Sequence, residues 1–107
     1  MAAEYEYAEL CELLYDATRN PGYREKALTW AKKFQTVQPW FAWSYAMEAR
    51  LTTNANDRRR AMAMAYYLDR NSERLASLPQ AAIKAAVKEF ANRNPFLRTT
   101  DSVREPT

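Results

Sequence analysis

The chain has 107 residues, nearly half of them hydrophobic, which suits one folded domain and excludes a chain that is disordered throughout. It contains a single glycine, alanine is abundant and β-branched residues are scarce, which argues against a strand-rich fold and predicts an all-α protein. The net charge of +3 is uneven, because residues 1–20 hold five acids against one arginine, so we expect an acidic first helix that neutralises its neighbours and a basic surface for an anionic partner.

The first two predicted helices cover residues 3–18 and 21–37. In the first helix, one apolar stripe has helical spacing and consists of Tyr7, Leu10, Leu14 and Ala17. Asn20 can cap the second helix, and Pro21 suits its first position, where a missing N–H costs nothing. The apolar stripe of the second helix consists of Ala27, Trp30, Ala31 and Phe34. Pro39 disfavours helical geometry at the residue before it and is expected to end this hairpin.

The third predicted helix covers residues 39–53 and is rich in aromatic side chains. Its main stripe consists of Trp40, Trp43, Met47 and Leu51, and further aromatic residues flank this stripe. Together they cover too much of the helix for one buried side. We therefore expect this helix to pack on two sides or to offer one side to a partner.

Residues 61–65 alternate alanine and methionine, which superficially resembles a strand, but both are good helix formers, and we predict a helix over residues 56–71. The last predicted helix covers residues 78–93, with Ser77 and Gln80 at the spacing of a capping box. Residues 95–107 contain few apolar side chains and are expected to form a loose tail after a single helical domain of residues 1–94.

Two of these helices repeat at a shift of 34 residues: Ala27 matches Ala61, Ala31 matches Ala65, and Phe34 matches Leu68. This pattern resembles the second helix of the tetratricopeptide (TPR) repeat, and Pro39 lies at the consensus proline of the first copy. In both copies the side chains at the three matched positions are small, small and large, an order that differs from that of the family. Glu73 replaces the second proline. The resemblance covers about residues 8–75.

The expected fold is therefore all-α, with five antiparallel helices arranged either as TPR-like hairpin repeats or as a compact bundle. In the family that the repeat resembles, the first helix of each pair lines a peptide-binding groove. Mapped onto this chain, the resemblance implies a groove that is acidic at one end and basic at the other. Its candidate residues include Glu12, Asp16, Trp43, Arg50, Asn54, Lys84 and Lys88.

The functional prediction that follows is a non-catalytic adaptor, chaperone-like protein or complex subunit that binds a protein or peptide. Two repeats are fewer than the three that a helical solenoid usually needs, so self-association or docking to a partner is also expected. Three tryptophans are difficult to bury completely in so small a domain, and Trp40 or Trp43 is a candidate for an interface.

Two alternatives to the adaptor stay open. A basic nucleic-acid-binding module would use Lys32, Lys33, Arg58, Arg59 and Arg60, although no recognised binding motif accompanies them. The three arginines point about 100° apart on a helix and cannot all meet one surface. They could instead pair with the acids of the first helix. The second alternative is a small helical inhibitor of a host protein, which sequence cannot separate from an adaptor.

The sequence holds no signature of an enzyme, and we predict no cofactor and no metal site. Histidine, the commonest general base and metal ligand, does not occur, and the single cysteine excludes both an internal disulfide and a cysteine cluster. Acidic residues near the N-terminus do not resemble a signal peptide, and no apolar run is long enough to cross a membrane. We therefore expect a cytoplasmic protein.

Overall fold

The computed structural model describes residues 3–93, and this part of the chain is all-α, as predicted, with no strand. It contains six helices: α1 (Ala3–Thr18), α2 (Pro21–Val37), α3 (Ala42–Leu51), α4 (Ala55–Leu68), α5 (Glu73–Ala76) and α6 (Gln80–Arg93). The predicted tail, residues 95–107, lies outside the described residues.

The turn between α1 and α2 consists of two residues with distinct roles. Arg19 takes a left-handed φ of 59°, and its N–H donates to the carbonyl of Tyr15 over 2.7 Å, which closes the last turn of α1. The side chain of Asn20 accepts the N–H of Gly22 over 2.9 Å and caps α2 as predicted, with Pro21 in the first position. This short connection folds α2 back against α1.

Helix α3 is shorter than predicted because residues 39 and 40 form a turn before it. The N–H of Phe41 donates to the carbonyl of Gln38 over 3.2 Å, so Trp40 lies outside the helix. Eight of its ten residues are buried, namely Ala42, Trp43, Ser44, Ala46, Met47, Glu48, Ala49 and Leu51. Helix α3 packs against α2, α4 and α5, which confirms the prediction that it is covered on more than one side.

Helix α4 confirms that the alternating alanine and methionine residues are helical. Asn54 caps its first turn by accepting the N–H of Asp57 over 2.8 Å. The helix ends at Leu68 rather than at residue 71. The side chain of Asp69 accepts the N–H of Asn71 over 3.1 Å, and such an aspartate turn competes with the helical hydrogen-bond pattern.

The predicted count of five helices is wrong, because α5 forms one additional turn between α4 and α6. The sequence of this turn has no apolar periodicity, but Leu75 is 3% exposed and anchors it to the core. The predicted capping box is also wrong. Gln80 begins α6 and its amide donates back to the carbonyl of Leu78 over 2.9 Å, while the hydroxyl of Ser77 donates to the carbonyl of Arg74.

The predicted apolar stripe of α1 is not its buried side. Tyr7 and Leu10 are about half exposed, at 51% and 52%. The residues of α1 that are buried are Ala8, Cys11 and Glu12. The stripe was wrong because the buried side of α1 includes a charged residue, which apolar periodicity cannot detect.

The repeated alanines lie where the helices approach one another, as predicted. Ala27, Ala31, Ala61 and Ala65 are each at most 1% exposed. Along the chain, α1 packs on α2, α2 on α3, α3 on α4, and α4 on α6, while α5 contacts α3 and α4. Because alanine adds little bulk between helices, each helix can pack closely against the next.

Candidate partner-binding groove

Three of the predicted groove residues bind one another instead of remaining open to a partner. Glu12 is only 6% exposed, and its carboxylate accepts a hydrogen bond from the guanidinium of Arg50 over 2.8 Å. The same guanidinium donates to Asp16 over 2.7 Å. The hydrogen bond to Asp16 outweighs burial, and with the attraction of Glu12 it raises the pKa of Arg50 above its ordinary value. The acids of α1 do neutralise basic neighbours, as the charge distribution predicted.

Arg74 completes this charge network, and sequence reasoning missed it. Its guanidinium donates to the two carboxylate oxygens of Glu12 over 2.7 and 3.1 Å and to Glu9 over 3.5 Å. It also stacks 5.4 Å from the ring centre of Trp43. Burial alone would lower the pKa of Arg74, but hydrogen bonding to Glu12 and the attraction of both acids raise it. The sequence indicated this contact only indirectly, through the many acidic residues of α1 that have few basic residues close to them along the chain.

The two candidate tryptophans have different environments. Trp40 is 66% exposed at the turn before α3. Trp43 is 9% exposed, packs 4.3 Å from the ring centre of Tyr5 and donates its indole N–H to Glu9 over 3.1 Å. Trp43 therefore has a structural role. Asn54 also has a structural role, because its side chain caps α4. The structure therefore does not gather all of the predicted groove residues on one surface.

Lys84 and Lys88 line a groove of about 690 Å³ between α4, α5 and α6, which we call the α4–α6 groove. Its apolar floor includes Leu75 and Ile83, each 3% exposed, together with Val87. Its full lining consists of Tyr66, Arg70, Asn71, Ser72, Leu75, Ala76, Gln80, Ile83, Lys84, Val87, Lys88 and Ala91. An apolar floor with polar groups around it is typical of a binding site.

The charged side chains along the α4–α6 groove are all basic: Arg70, Lys84 and Lys88, and none of the described residues that line it is acidic. Lys84 and Lys88 lie one helical turn apart on α6, are exposed, and have no ion-pair partner within residues 3–93. Arg70 stacks 5.2 Å from the ring centre of Tyr66. This arrangement gives the groove a positive rim over an apolar floor.

The three consecutive arginines of α4 reach three different surroundings. Arg58 donates to the carbonyl of Thr52 over 2.6 Å, and Arg59 pairs with Glu89 over 3.1 Å. Arg60 lies 3.9 Å from both Asp57 and Glu48. The prediction that the triplet pairs with the acids of α1 is wrong, because none of these contacts is to a residue of α1. The divergence of the three side chains agrees with their helical spacing.

Lys32 and Lys33, the other candidates for nucleic-acid binding, also have intramolecular contacts. The ammonium of Lys33 lies 4.9 Å from the ring centre of Trp30. Lys32 lies 4.0 Å from Glu48, a carboxylate whose side chain is 2% exposed and which accepts a hydrogen bond from Gln35 over 2.9 Å. Burial, followed by the charge of this carboxylate, raises the pKa of nearby Tyr45.

The chain matches no model of a known protein family, no curated protein and no solved structure. Within residues 3–93, no helix is both long enough and apolar enough to span a bilayer. The same residues contain no group of three acidic or cysteine side chains placed to hold a metal ion. The geometry and charge of the α4–α6 groove are therefore the basis for a functional proposal.

Proposed function

We propose that this protein is a non-catalytic interaction module whose α4–α6 groove binds an acidic segment of a partner protein. The partner segment carries an apolar anchor that covers the floor of the groove and carboxylates that approach its rim. The observation that carries the proposal is the apolar floor of about 690 Å³ bordered by three basic side chains. Helical peptides commonly dock in this way, with an apolar face in a groove.

Size and charge favour this occupant. The volume lies within the range of about 300–1,000 Å³ that is usual for binding sites, so a few apolar side chains fit. Arg70, Lys84 and Lys88 would attract carboxylates and repel a basic segment, which gives selectivity as well as faster association. Three acids of α1, Glu9, Glu12 and Asp16, are already paired with Arg50 and Arg74, which reduces their attraction for a basic partner.

An adaptor of this kind needs no chemical step, and the proposal includes a cytoplasmic location and the possibility of a homo-oligomer. The buried thiol of Cys11 is compatible with a reducing compartment. The nucleic-acid alternative has less support, because Arg59, Arg60 and Lys32 already lie near carboxylates of this chain.

The test is a selection from a library of random peptides displayed on phage, with the full chain immobilised. We expect enriched peptides to carry apolar residues flanked by aspartate or glutamate. A double variant, Lys84→Glu with Lys88→Glu, reverses the charge of the rim and should abolish their binding. The matched control, Lys26→Glu with Lys33→Glu, makes the same change in net charge on exposed positions of α2, outside the groove.

Synthetic versions of the selected peptides, labelled with a fluorophore, give affinities by anisotropy. Retained affinity in the control variant and loss in the rim variant would support the proposal. Failure to enrich any peptide, enrichment of basic peptides, or equal affinity for both variants would contradict it. Circular dichroism of each variant checks that the helices are retained.

A further inference from the structure

A cleft outside the α4–α6 groove gathers four arginine side chains from different parts of the chain. They are Arg19 after α1, Arg24 in α2, Arg50 in α3 and Arg58 in the first turn of α4. The cleft has a volume of about 260 Å³. The remaining lining residues are Tyr15, Leu51, Thr52 and Thr53. We call it the arginine cleft.

The arginine cleft concentrates positive charge, because among residues 3–93 no acidic side chain lines it. Arg50 is compensated from outside the lining by Glu12 and Asp16, and Arg24 lies 3.4 Å from Glu25. For Arg19 and Arg58, by contrast, the described part of the chain supplies no carboxylate within ion-pair distance. Within the described residues, two guanidinium charges thus have no compensating carboxylate.

Three of the guanidinium groups, those of Arg19, Arg24 and Arg58, have contacts that are not ionic. The side chain of Arg58 donates to the carbonyl of Thr52 over 2.6 Å. The guanidinium carbons of Arg19 and Arg24 lie 5.3 and 5.8 Å from the centre of the Tyr15 ring. Because these contacts fix the side chains in advance, an anion that binds here would lose little of its affinity to their ordering.

Arg24 supplies an independent indication that the cleft is suited to a ligand. Its Nε atom is buried and, within the described residues, has no hydrogen-bond acceptor. A buried guanidinium donor without an acceptor is energetically costly, and an oxyanion in the cleft would relieve this cost once the side chain of Arg24 turns its Nε toward it. The exposed side chain of Thr53 adds a hydroxyl donor to the lining.

We propose that the arginine cleft binds the terminal phosphoryl group of a small ligand. A phosphoryl dianion offers several oxygen acceptors, and planar guanidinium groups bind it through paired hydrogen bonds. Its double charge would compensate Arg19 and Arg58, which have no carboxylate partner among residues 3–93. This site is separate from the α4–α6 groove and does not depend on the function proposed for that groove.

The geometry favours a terminal phosphoryl group over a nucleic-acid backbone. A backbone is usually bound by positive side chains that follow its track over several phosphates. Here the four arginines converge on one cleft, while the neighbouring Arg59 and Arg60 turn away to Glu89 and Glu48. A single compact phosphoryl group therefore fits the arrangement better.

The test is isothermal titration calorimetry of the full chain with inorganic phosphate, pyrophosphate and phenyl phosphate. Sodium chloride keeps the ionic strength constant in each titration. We expect all three compounds, or pyrophosphate and phenyl phosphate alone, to bind at one site. The comparison of free phosphate with phenyl phosphate identifies whether the natural ligand is an inorganic anion or a phosphomonoester.

Two variants each remove one charge from the cleft, Arg58→Gln and Arg19→Gln, and each should weaken binding by roughly tenfold or more. Both arginines are exposed, but Arg58 donates to the carbonyl of Thr52, so the replacement of Arg19 is the safer one for folding. The matched control is Arg93→Gln, which removes the same charge at the end of α6, outside the cleft. Circular dichroism confirms that each protein used in a titration is folded.

Several results would overturn the proposal. One is the absence of heat from all three compounds. Another is binding that is equally strong in the cleft variants and in Arg93→Gln, which would indicate a general response to anions. A third is binding of a short DNA duplex that depends on Arg58 without any binding of the phosphate compounds, which would replace a phosphoryl site by a nucleic-acid site.

Discussion

Replacement of Glu12 by glutamine tests the charge network that joins α1, α3 and α5. The carboxylate is 6% exposed and accepts hydrogen bonds from Arg50 and Arg74 at distances of 2.7–3.1 Å. Removing one partner of a fully buried ion pair lowers the free energy of unfolding by about 3–5 kcal/mol, because the other charge is left unpaired away from water. Glu12→Gln keeps the shape of the side chain, removes its charge and replaces one accepting oxygen by an amide donor.

The expected loss lies below that range, because both arginines retain other partners. The side chains of Arg50 and Arg74 are 36% and 27% exposed, and they keep Asp16 and Glu9 respectively. We therefore expect the free energy of unfolding to fall by about 2–3 kcal/mol. For a domain of this size, that corresponds to a decrease in Tm of roughly 10–20 °C.

Urea unfolding at neutral pH, followed by circular dichroism, measures this loss. The control is Glu25→Gln, because the side chain of Glu25 is 65% exposed and the loss of its charge should change stability by less than about 0.5 kcal/mol. A double-mutant cycle with Arg74→Met isolates the coupling, which we expect to be about 1–2 kcal/mol. A Glu12→Gln protein as stable as the wild type, or a cycle without coupling, would refute the reasoning.

Three further substitutions have expected outcomes that urea titration can check. Asn54→Ala should lose about 1 kcal/mol because it removes the cap of α4, whereas Asn54→Asp should retain most of the stability. Ala31→Leu should destabilise by at least about 1–3 kcal/mol, because Ala31 is fully buried between helices, whereas Ala17→Leu on an exposed surface should change little. Burial raises the pKa of Tyr45, so the folded state favours the neutral phenol. The resulting contribution to the free energy of unfolding is complete below about pH 10, the ordinary pKa of tyrosine, and is lost as the pH rises above that value. Tyr45→Phe should therefore weaken the alkaline loss of stability, and no difference between the two pH profiles would contradict this assignment.

Helical periodicity and capping residues were sufficient to predict the long helices. Asn20 and Pro21 defined the start of α2, and the buried alanines were correctly placed between helices. Periodicity and caps depend on residues that are close together along the chain, so they can be recognised in a single sequence. The prediction of a helix over residues 56–71 was correct as far as Leu68 for the same reason, since side-chain propensity outweighed an apparent alternation.

The parts that the sequence could not predict depend on contacts between distant residues. The pairing of Glu12 with Arg74 joins positions 62 residues apart and turned a charged side chain toward the core. It explains why the buried side of α1 was wrongly assigned and why the predicted acidic end of the groove is occupied internally. Helix α5 was missed because its anchor, Leu75, is one apolar residue in a polar segment. Lys84 and Lys88 were singled out through a resemblance, and their position on the α4–α6 groove needed the structure.

The most direct test of the central claim is a map of amide chemical-shift changes in the isotope-labelled protein as a selected acidic peptide is added. The account predicts that the changes are concentrated along the α4–α6 groove, at α5 and at the turns of α6 that carry Lys84 and Lys88. Changes concentrated instead on α1 around Leu10, or the absence of specific changes at saturating peptide, would contradict the claim that this groove is the docking site.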